Sequence, residues 1–223
     1  LADEGLDFSL HMSVTDWNVD EVPAMIDLAK HLGAKVLNFF FLVRTGRGQN
    51  LTDIDSAAYE RILTYLANVQ GAGRQPGAGG GATGGWSGRP LPPAAPGAPA
   101  FEDPWSAPVG RADGLLIRAK CAPHFRRILY ELNPTSPLLR NYAHGSCPAG
   151  KYYCRITPEG DVTPCPYMPV SAGSLRERSF GEIWRGAGVF EDLRDPELGG
   201  RCGACEFRKI CGGCRCRAYA TYG

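Results

Sequence analysis

CGACEFRKICGGCRC, residues 202–216, places five cysteines in fifteen positions. Two residues separate Cys202 from Cys205 and Cys211 from Cys214, with five between the pairs. A short turn between paired thiolates aims both sulfurs at one centre and offers them backbone N–H groups, so this spacing is a strong metal signal. Upstream, Cys147, Cys154 and Cys165 add three thiols, with a turn expected at Pro158–Glu159–Gly160–Asp161 between two short strands. Structural zinc ordinarily joins such pairs across a loop of roughly 15 residues, longer than the one here. Iron–sulfur clusters take four thiolates each and tolerate crowded spacings. Disulfides would suit an oxidising compartment. Spacing favours iron–sulfur and leaves zinc, disulfides and free thiols open.

Away from the cysteines the composition is that of a soluble globular protein. The 223 residues are 43% hydrophobic and 21% charged, with a formal charge of +1. Near-neutrality argues against an electrostatic nucleic-acid binder or a polybasic membrane anchor. No apolar run approaches the roughly 20 residues of a membrane helix, and no basic leader with a small-residue cleavage site opens the chain. The expectation is a cytoplasmic protein with neither nucleic acid nor membrane as partner.

The excess of glycine and proline is local. Residues 71–100 hold ten Gly, seven Ala and six Pro. Such a stretch buries too little apolar surface to offset its ordering entropy, and 71–113 is expected to be a disordered linker, with Trp86 and Trp105 inside it. Before it, 6–14 (LDFSLHMSV) reads as a strand with Leu6, Phe8 and Leu10 on one face. Asn18 and Glu21 resemble a capping box, followed by a helix carrying Val22, Met25, Ile26, Ala29 and Leu32 and stopped at Gly33. Lys35–Val43 (KVLNFFFLV) has the continuous apolar character of a parallel strand covered on both faces. A glycine loop (RTGRGQN) and a helix from about Asp55 follow, with Tyr59, Ile62, Leu63 and Leu66 inward. Gly114–Lys120 reads as a further strand and Pro123–Leu132 as a helix.

Strand, helix, strand, helix implies right-handed crossovers and a parallel sheet. Two strands do not make a domain, and the chain opens at Leu1, so this part is expected to be the trailing portion of a larger α/β barrel. The expected divisions are 1–70 (late barrel strands and helices), 71–113 (linker), 114–146 (last barrel strand, helix and connection) and 147–223 (a small cysteine-rich domain).

The run CPAGKYYCRITPEGDVTPCPYMPV from Cys147, together with CGACEFRKIC from Cys202, resembles the SPASM domain of radical SAM enzymes. Cys147, Gly160 and Cys165 meet one signature, and Cys202, Cys205 and Cys211 the other. FFFLVRTGRG at 39–48 looks like the late strands of the radical SAM partial barrel. CAPHFRR (121–127), CPYMPV (165–170) and SFGEIW (179–184) are most similar to the haem-maturation branch, whose members modify tetrapyrrole side chains. Peptide-modifying maturases share the layout and are the runner-up. In sulfatase maturases an Asp base follows the cysteine, but Pro166 follows Cys165 here, which disfavours that activity.

The resemblance implies an α/β fold: the C-terminal part of a radical SAM partial (β/α) barrel, then an α+β SPASM domain with two auxiliary 4Fe–4S clusters. Cys202, Cys205 and Cys211 would hold one cluster. Cys147, Cys154, Cys165 and Cys214 would hold the other. The Cys211–Cys214 gap of two residues is three in many members, so Cys214 and Cys216 compete for one role. The chain ends at Gly223 before the family's last cysteine, so Cys216 is also the candidate substitute ligand for the 202–211 cluster. The Cys-x3-Cys-x2-Cys motif that binds the SAM-cleaving cluster is absent from these residues, so the expectation is a fragment inactive alone. Ser13, Asn18, Leu42, Val43 and Arg44 sit where relatives contact S-adenosyl-L-methionine (SAM), or simply pack. Cys121 and His124, after a strand end, are candidates to face the substrate, and Arg47 with Arg44 to meet a carboxylate. Lys151, Arg155, Arg201, Arg208, Lys209, Arg215 and Arg217 flank the thiols, where they would offset anionic cluster charge or form a solvated surface. The implied partners are a tetrapyrrole or peptide substrate and an electron donor such as ferredoxin or flavodoxin. A non-catalytic metal-binding or electron-transfer module is the alternative of another class.

Overall fold

The computed structural model describes residues 4–72, 114–142 and 147–222, excepting the side chains at 47 and 140–142. Nearly all of the expected linker, with Trp86 and Trp105, lies outside the described residues. Strands β1 (Ser9–Val14), β2 (Val36–Phe41) and β3 (Leu116–Lys120) form a parallel sheet in that order. The register aligns Ser13, Phe40 and Lys120 in one row and His11, Asn38 and Arg118 in another. Helices α1 (Val22–His31), α2 (Ser56–Val69) and α3 (Phe125–Leu132) follow the three strands.

Alternation along the strands decides where the core lies. Leu37, Phe39 and Phe41 of β2 are buried with Ile117 of β3, Ile26 of α1, Ile62, Leu63 and Leu66 of α2 and Leu129 of α3. Phe40 sits on the opposite side, with Arg118 and Lys120. The apolar run over 35–43 is thus a strand packed hard on one face and open to a cavity on the other.

Two expectations near the start are corrected. Leu6 is 56% exposed and the strand begins only at Ser9. The Asn18–Glu21 capping box is absent. Asn18 Oδ1 accepts from the Thr15 N–H (2.9 Å) and its Nδ2 donates to the Ser13 carbonyl (2.9 Å), so the amide clamps the loop leaving β1. A turn of 3-10 helix over Val19–Glu21 then leads into α1, which has Pro23 in its first turn. The other boundaries hold: Gly33 ends α1 at φ +72°, and Asp55 caps α2 by accepting from the Ala58 N–H at 2.7 Å.

The cysteine-rich part is a meander of β4 (Arg155–Ile156), β5 (Asp161–Thr163) and β6 (Gly173–Ser174). The expected turn joins β4 and β5, with Gly160 at φ +95° and its N–H donating to the Thr157 carbonyl. Four short helices complete it: α4 (Phe180–Gly186), α5 (Gly188–Arg194), α6 (Gly200–Ala204) and α7 (Arg215–Tyr222). Ser179 and Glu182 form a full capping box on α4. The core here is small, built around Val162, Ile183, Phe190 and Leu193. Gly150 lies against it at φ +71°, where a Cβ would stand 2.9 Å from Leu193 Cδ1.

Candidate metal centre

The β4–β5 hairpin sorts the first three cysteines by face. Arg155 pairs with Thr163, which sets Tyr153 opposite Cys165, where Tyr153 helps lower the Cys165 thiol. Successive side chains alternate, so Cys154 points to the other face, against the Val162–Ile183 core and Trp184. Cys214 immediately precedes α7, and Cys216 falls in its first turn, 1% exposed. There Cys216 packs with Cys165, Cys147 and Cys214 in one small cluster. The four thiols that meet are therefore Cys147, Cys165, Cys214 and Cys216. Cys154, expected with Cys147, Cys165 and Cys214, lies on the other face, and Cys216 packs among those three.

This group divides its protons unequally. Hydrogen bonds from Cys147 and Cys216 outweigh burial and lower Cys214 to about 2, helped by the Arg217 N–H (3.4 Å from Sγ) and its guanidinium charge. A thiolate at the start of a helix is favoured in the same sense by the helix dipole. Cys165 is lowered to about 6, first by Cys216 and then by Tyr153, while Cys216, set among the three other sulfurs, is pushed far up. The group thus already carries thiolate character, the form that binds metal.

Cys202 in α6, Cys205 at its end and Cys211 form a second group. Burial raises Cys211, and the charges of Cys202 and Cys205 push it further. Gly212 and Gly213, at φ +64° and +70°, turn the chain from this group to the first, with Cys202 Sγ 3.8 Å from where a Gly213 Cβ would stand. Among the described residues, no three Cys, His, Asp or Glu side chains have the geometry of a single-ion site. A 4Fe–4S cage takes one thiolate at each iron, so it is judged on its donor set rather than on convergence to a point.

The first group opens onto a cavity of about 710 Å³ at the C-terminal end of β3. Its wall combines Cys121, Cys147, Cys165, Cys214 and Cys216 with Tyr152, Tyr153, Tyr167 and Phe40, and with Arg118, Lys120 and Arg126. Cys121 is the one non-glycine residue among those described with positive φ (+60°), an uncommon conformation that aims it beside the thiols. Burial raises it to about 12, with the thiolate charges adding, so it stays protonated. His124 is not part of this wall. Its ring meets Tyr59 edge-on at 5.2 Å, and burial, then Arg127 and Arg217, lower it to about 4.

Ser13, Asn18 and Leu42–Arg44 all lie along one edge, where β1 and β2 end. Their loops are tied by the Asp16 N–H donating to the Thr52 carbonyl (3.4 Å). Val43 is buried, and Arg44 is exposed with Nη2 donating to the Gln49 carbonyl. The side chain of Arg47 lies outside the described residues. Sequence reasoning passed over Asp53, Arg118, Lys120, Arg126 and the three tyrosines. Arg118 and Lys120 carried a signal, since cations at alternate positions of a strand share one face.

An iron–sulfur cluster-binding domain, SPASM, matches residues 147–206. The AdoMet-dependent heme synthase of Methanosarcina barkeri is 34% identical over 97% of this chain and 53% of its own length. That of Nitratidesulfovibrio vulgaris is 29% identical over 100% of this chain and 53% of its own. The chain carries a SPASM iron–sulfur cluster-binding domain and is similar over nearly its whole length to AdoMet-dependent heme synthases. It spans about half the length of these curated relatives. Mycofactocin maturase MftC of Mycobacterium ulcerans matches over 34% of this chain, at 35% identity, and over 22% of its own length.

The SPASM match stops between Cys205 and Cys211, yet the partners of Cys147 and Cys165 come from Cys214 and Cys216, beyond it. Helix α7 thus packs its Cys216 against Ala149 and Cys165 of the matched segment. No helix among the described residues is long and apolar enough to cross a membrane.

Proposed function

We propose that this chain is the cluster-bearing part of a maturase that uses SAM and iron–sulfur clusters to modify the side chains of a tetrapyrrole. The observation that carries the reading is the convergence of Cys147, Cys165, Cys214 and Cys216 on a cavity at the end of a parallel strand. Four cysteine donors, two of them already biased to thiolate, fit a 4Fe–4S cluster. Cys202, Cys205 and Cys211 would hold a second cluster, with a fourth donor that is not another cysteine of the described residues. Such clusters supply one-electron transfer. The three-stranded sheet is read as the late part of a partial barrel, and Ser13, Asn18 and Leu42–Arg44 at its edge as the SAM side.

The chain's own residues would do three things. The thiolates would hold the cluster at the cavity wall. The Arg217 N–H and guanidinium would offset its negative charge. Tyr152, Tyr153, Tyr167 and Phe40 would flank a flat ring system and keep water from it. Cys121, kept protonated, would face that ring. A reduced ferredoxin or flavodoxin would be the electron donor, in the cytoplasm. Peptide modification is the second reading, favoured by the partial match to a mycofactocin maturase.

Anaerobic reconstitution of the full chain with iron and sulfide tests the cluster assignment. Broad brown absorbance that bleaches with reductant is expected. A colourless protein that instead takes up stoichiometric zinc would overturn it.

A further inference from the structure

Of the ion pairs among the described residues, those of Arg127 tie α3 to Glu60 and Glu131, and only that of Arg217 with Asp53 reaches the thiol group. The Arg217 N–H lies 3.4 Å from Cys214 Sγ. Its Nη2 donates to the carbonyl of Cys121, which lines the same cavity as Cys214. Cys147 and Cys216 lower Cys214 most, and the Arg217 charge adds to them.

Asp53 is held from several sides. Its Oδ2 meets Arg217 Nη1 at 2.7 Å, and its Oδ1 accepts from the Tyr59 hydroxyl (3.0 Å) and from the Ile54 N–H (3.0 Å). The Tyr59 ring stacks on the buried Phe41 at 5.2 Å, which anchors the carboxylate to the core. The residue before it, Thr52, accepts the Asp16 N–H from the loop leaving β1. The negative charge therefore belongs to the parallel sheet and its loops, and the positive charge to α7.

An ion pair that keeps some solvent contact contributes little stability by itself. Beside a redox centre its charges act differently. The potential of an iron–sulfur cluster follows the net charge and hydrogen bonds around its sulfurs. A nearby cation favours the reduced cluster, which carries one more negative charge, and a carboxylate against that cation cancels part of the effect.

We propose that Asp53 is a positioning residue for the metal centre. By holding and partly neutralising the Arg217 guanidinium, it sets the reduction potential of the cluster bound by Cys147, Cys165, Cys214 and Cys216. This rests on the iron–sulfur reading above and adds that the sheet side of the molecule tunes the centre.

The test is an EPR-monitored redox titration of the anaerobically reconstituted full chain, following the signal that Cys216→Ala abolishes. Asp53→Asn keeps the shape and an acceptor oxygen but removes the negative charge, so the midpoint potential should rise. Arg217→Gln removes the positive charge, so the potential should fall, and by more, since Asp53 meets the thiols only through Arg217. Arg217→Lys keeps the charge and should stay close to the native value. Asp53→Asn and Arg217→Gln break the same ion pair, so a merely structural role moves both potentials in one direction or neither. Either result would overturn the proposal, as would Arg217→Lys falling as far as Arg217→Gln. If Arg217→Gln holds no iron, a raised Asp53→Asn beside an unmoved Arg217→Lys supports the proposal, and an unmoved or lowered Asp53→Asn overturns it. A native chain with no cluster signal would overturn the iron–sulfur reading and this proposal with it.

Discussion

Arg217 Nη1 stands 2.7 Å from Asp53 Oδ2, joining the first turn of α7 to the loop before α2. The same guanidinium lies over the Tyr59 ring at 5.4 Å and donates through Nη2 to the Cys121 carbonyl at 3.4 Å. The Tyr59 hydroxyl in turn donates to Asp53 Oδ1 (3.0 Å). Because the Arg217 backbone N–H also donates to Cys214 Sγ, one residue links the parallel sheet to the thiol group.

Removing either charge of this pair leaves the other half-buried and unmatched. Arg217→Gln and Asp53→Asn should each destabilise the chain by about 1–3 kcal/mol, at the lower end because both side chains keep some solvent contact. A double-mutant cycle by urea denaturation should show about 1 kcal/mol of coupling. Strict additivity would remove the pair from the account.

His124 gives the stability a pH dependence of known sign. Its folded-state pKa, lowered to about 4 chiefly by burial, lies below the ordinary value of about 6.5. Between those two pH values the unfolded chain binds the extra proton, so stability falls as the medium is acidified from 6.5 to 4 and is unaffected above. The loss is about 1–3 kcal/mol, since the ring is only half-buried. Urea midpoints of the metal-free chain at pH 7 and 4.5 should differ more for the native sequence than for His124→Gln. Parallel pH profiles would contradict the assignment.

Gly150 tests the packing beneath the thiols. At φ +71°, with Leu193 Cδ1 2.9 Å from the position of a Cβ, Gly150→Ala meets both backbone strain and overpacking. A cost of about 2–4 kcal/mol follows, visible as a melting temperature lowered by several degrees. A melt unchanged within error would mean the loop carrying Cys147 is not held this way.

What could be read from the residues was what depends on local periodicity. The apolar run around Phe39 and Phe41, the helix start near Asp55 and the Gly33 stop each declare themselves within a turn or strand of chain. The crowded thiols likewise announced a metal. Which thiols meet was not legible, because it turns on the pleat that sends Cys154 away from Cys165, and on α7 folding back to bring Cys216. Capping was not legible: Ser179 and Glu182 form the box that Asn18 and Glu21 do not, since Asn18 is committed to Thr15 and Ser13. The pairing of Asp53 with Arg217 spans 164 positions, a distance no local pattern encodes.

The thiol group is tested most directly by counting iron and acid-labile sulfide in the anaerobically reconstituted chain and in two cysteine variants. Cys216→Ala should lose the iron of one cluster, about four atoms per chain. Cys154→Ala should keep its full complement and lose only packing stability. Iron retained without Cys216 but lost without Cys154 would contradict the grouping on which the account stands.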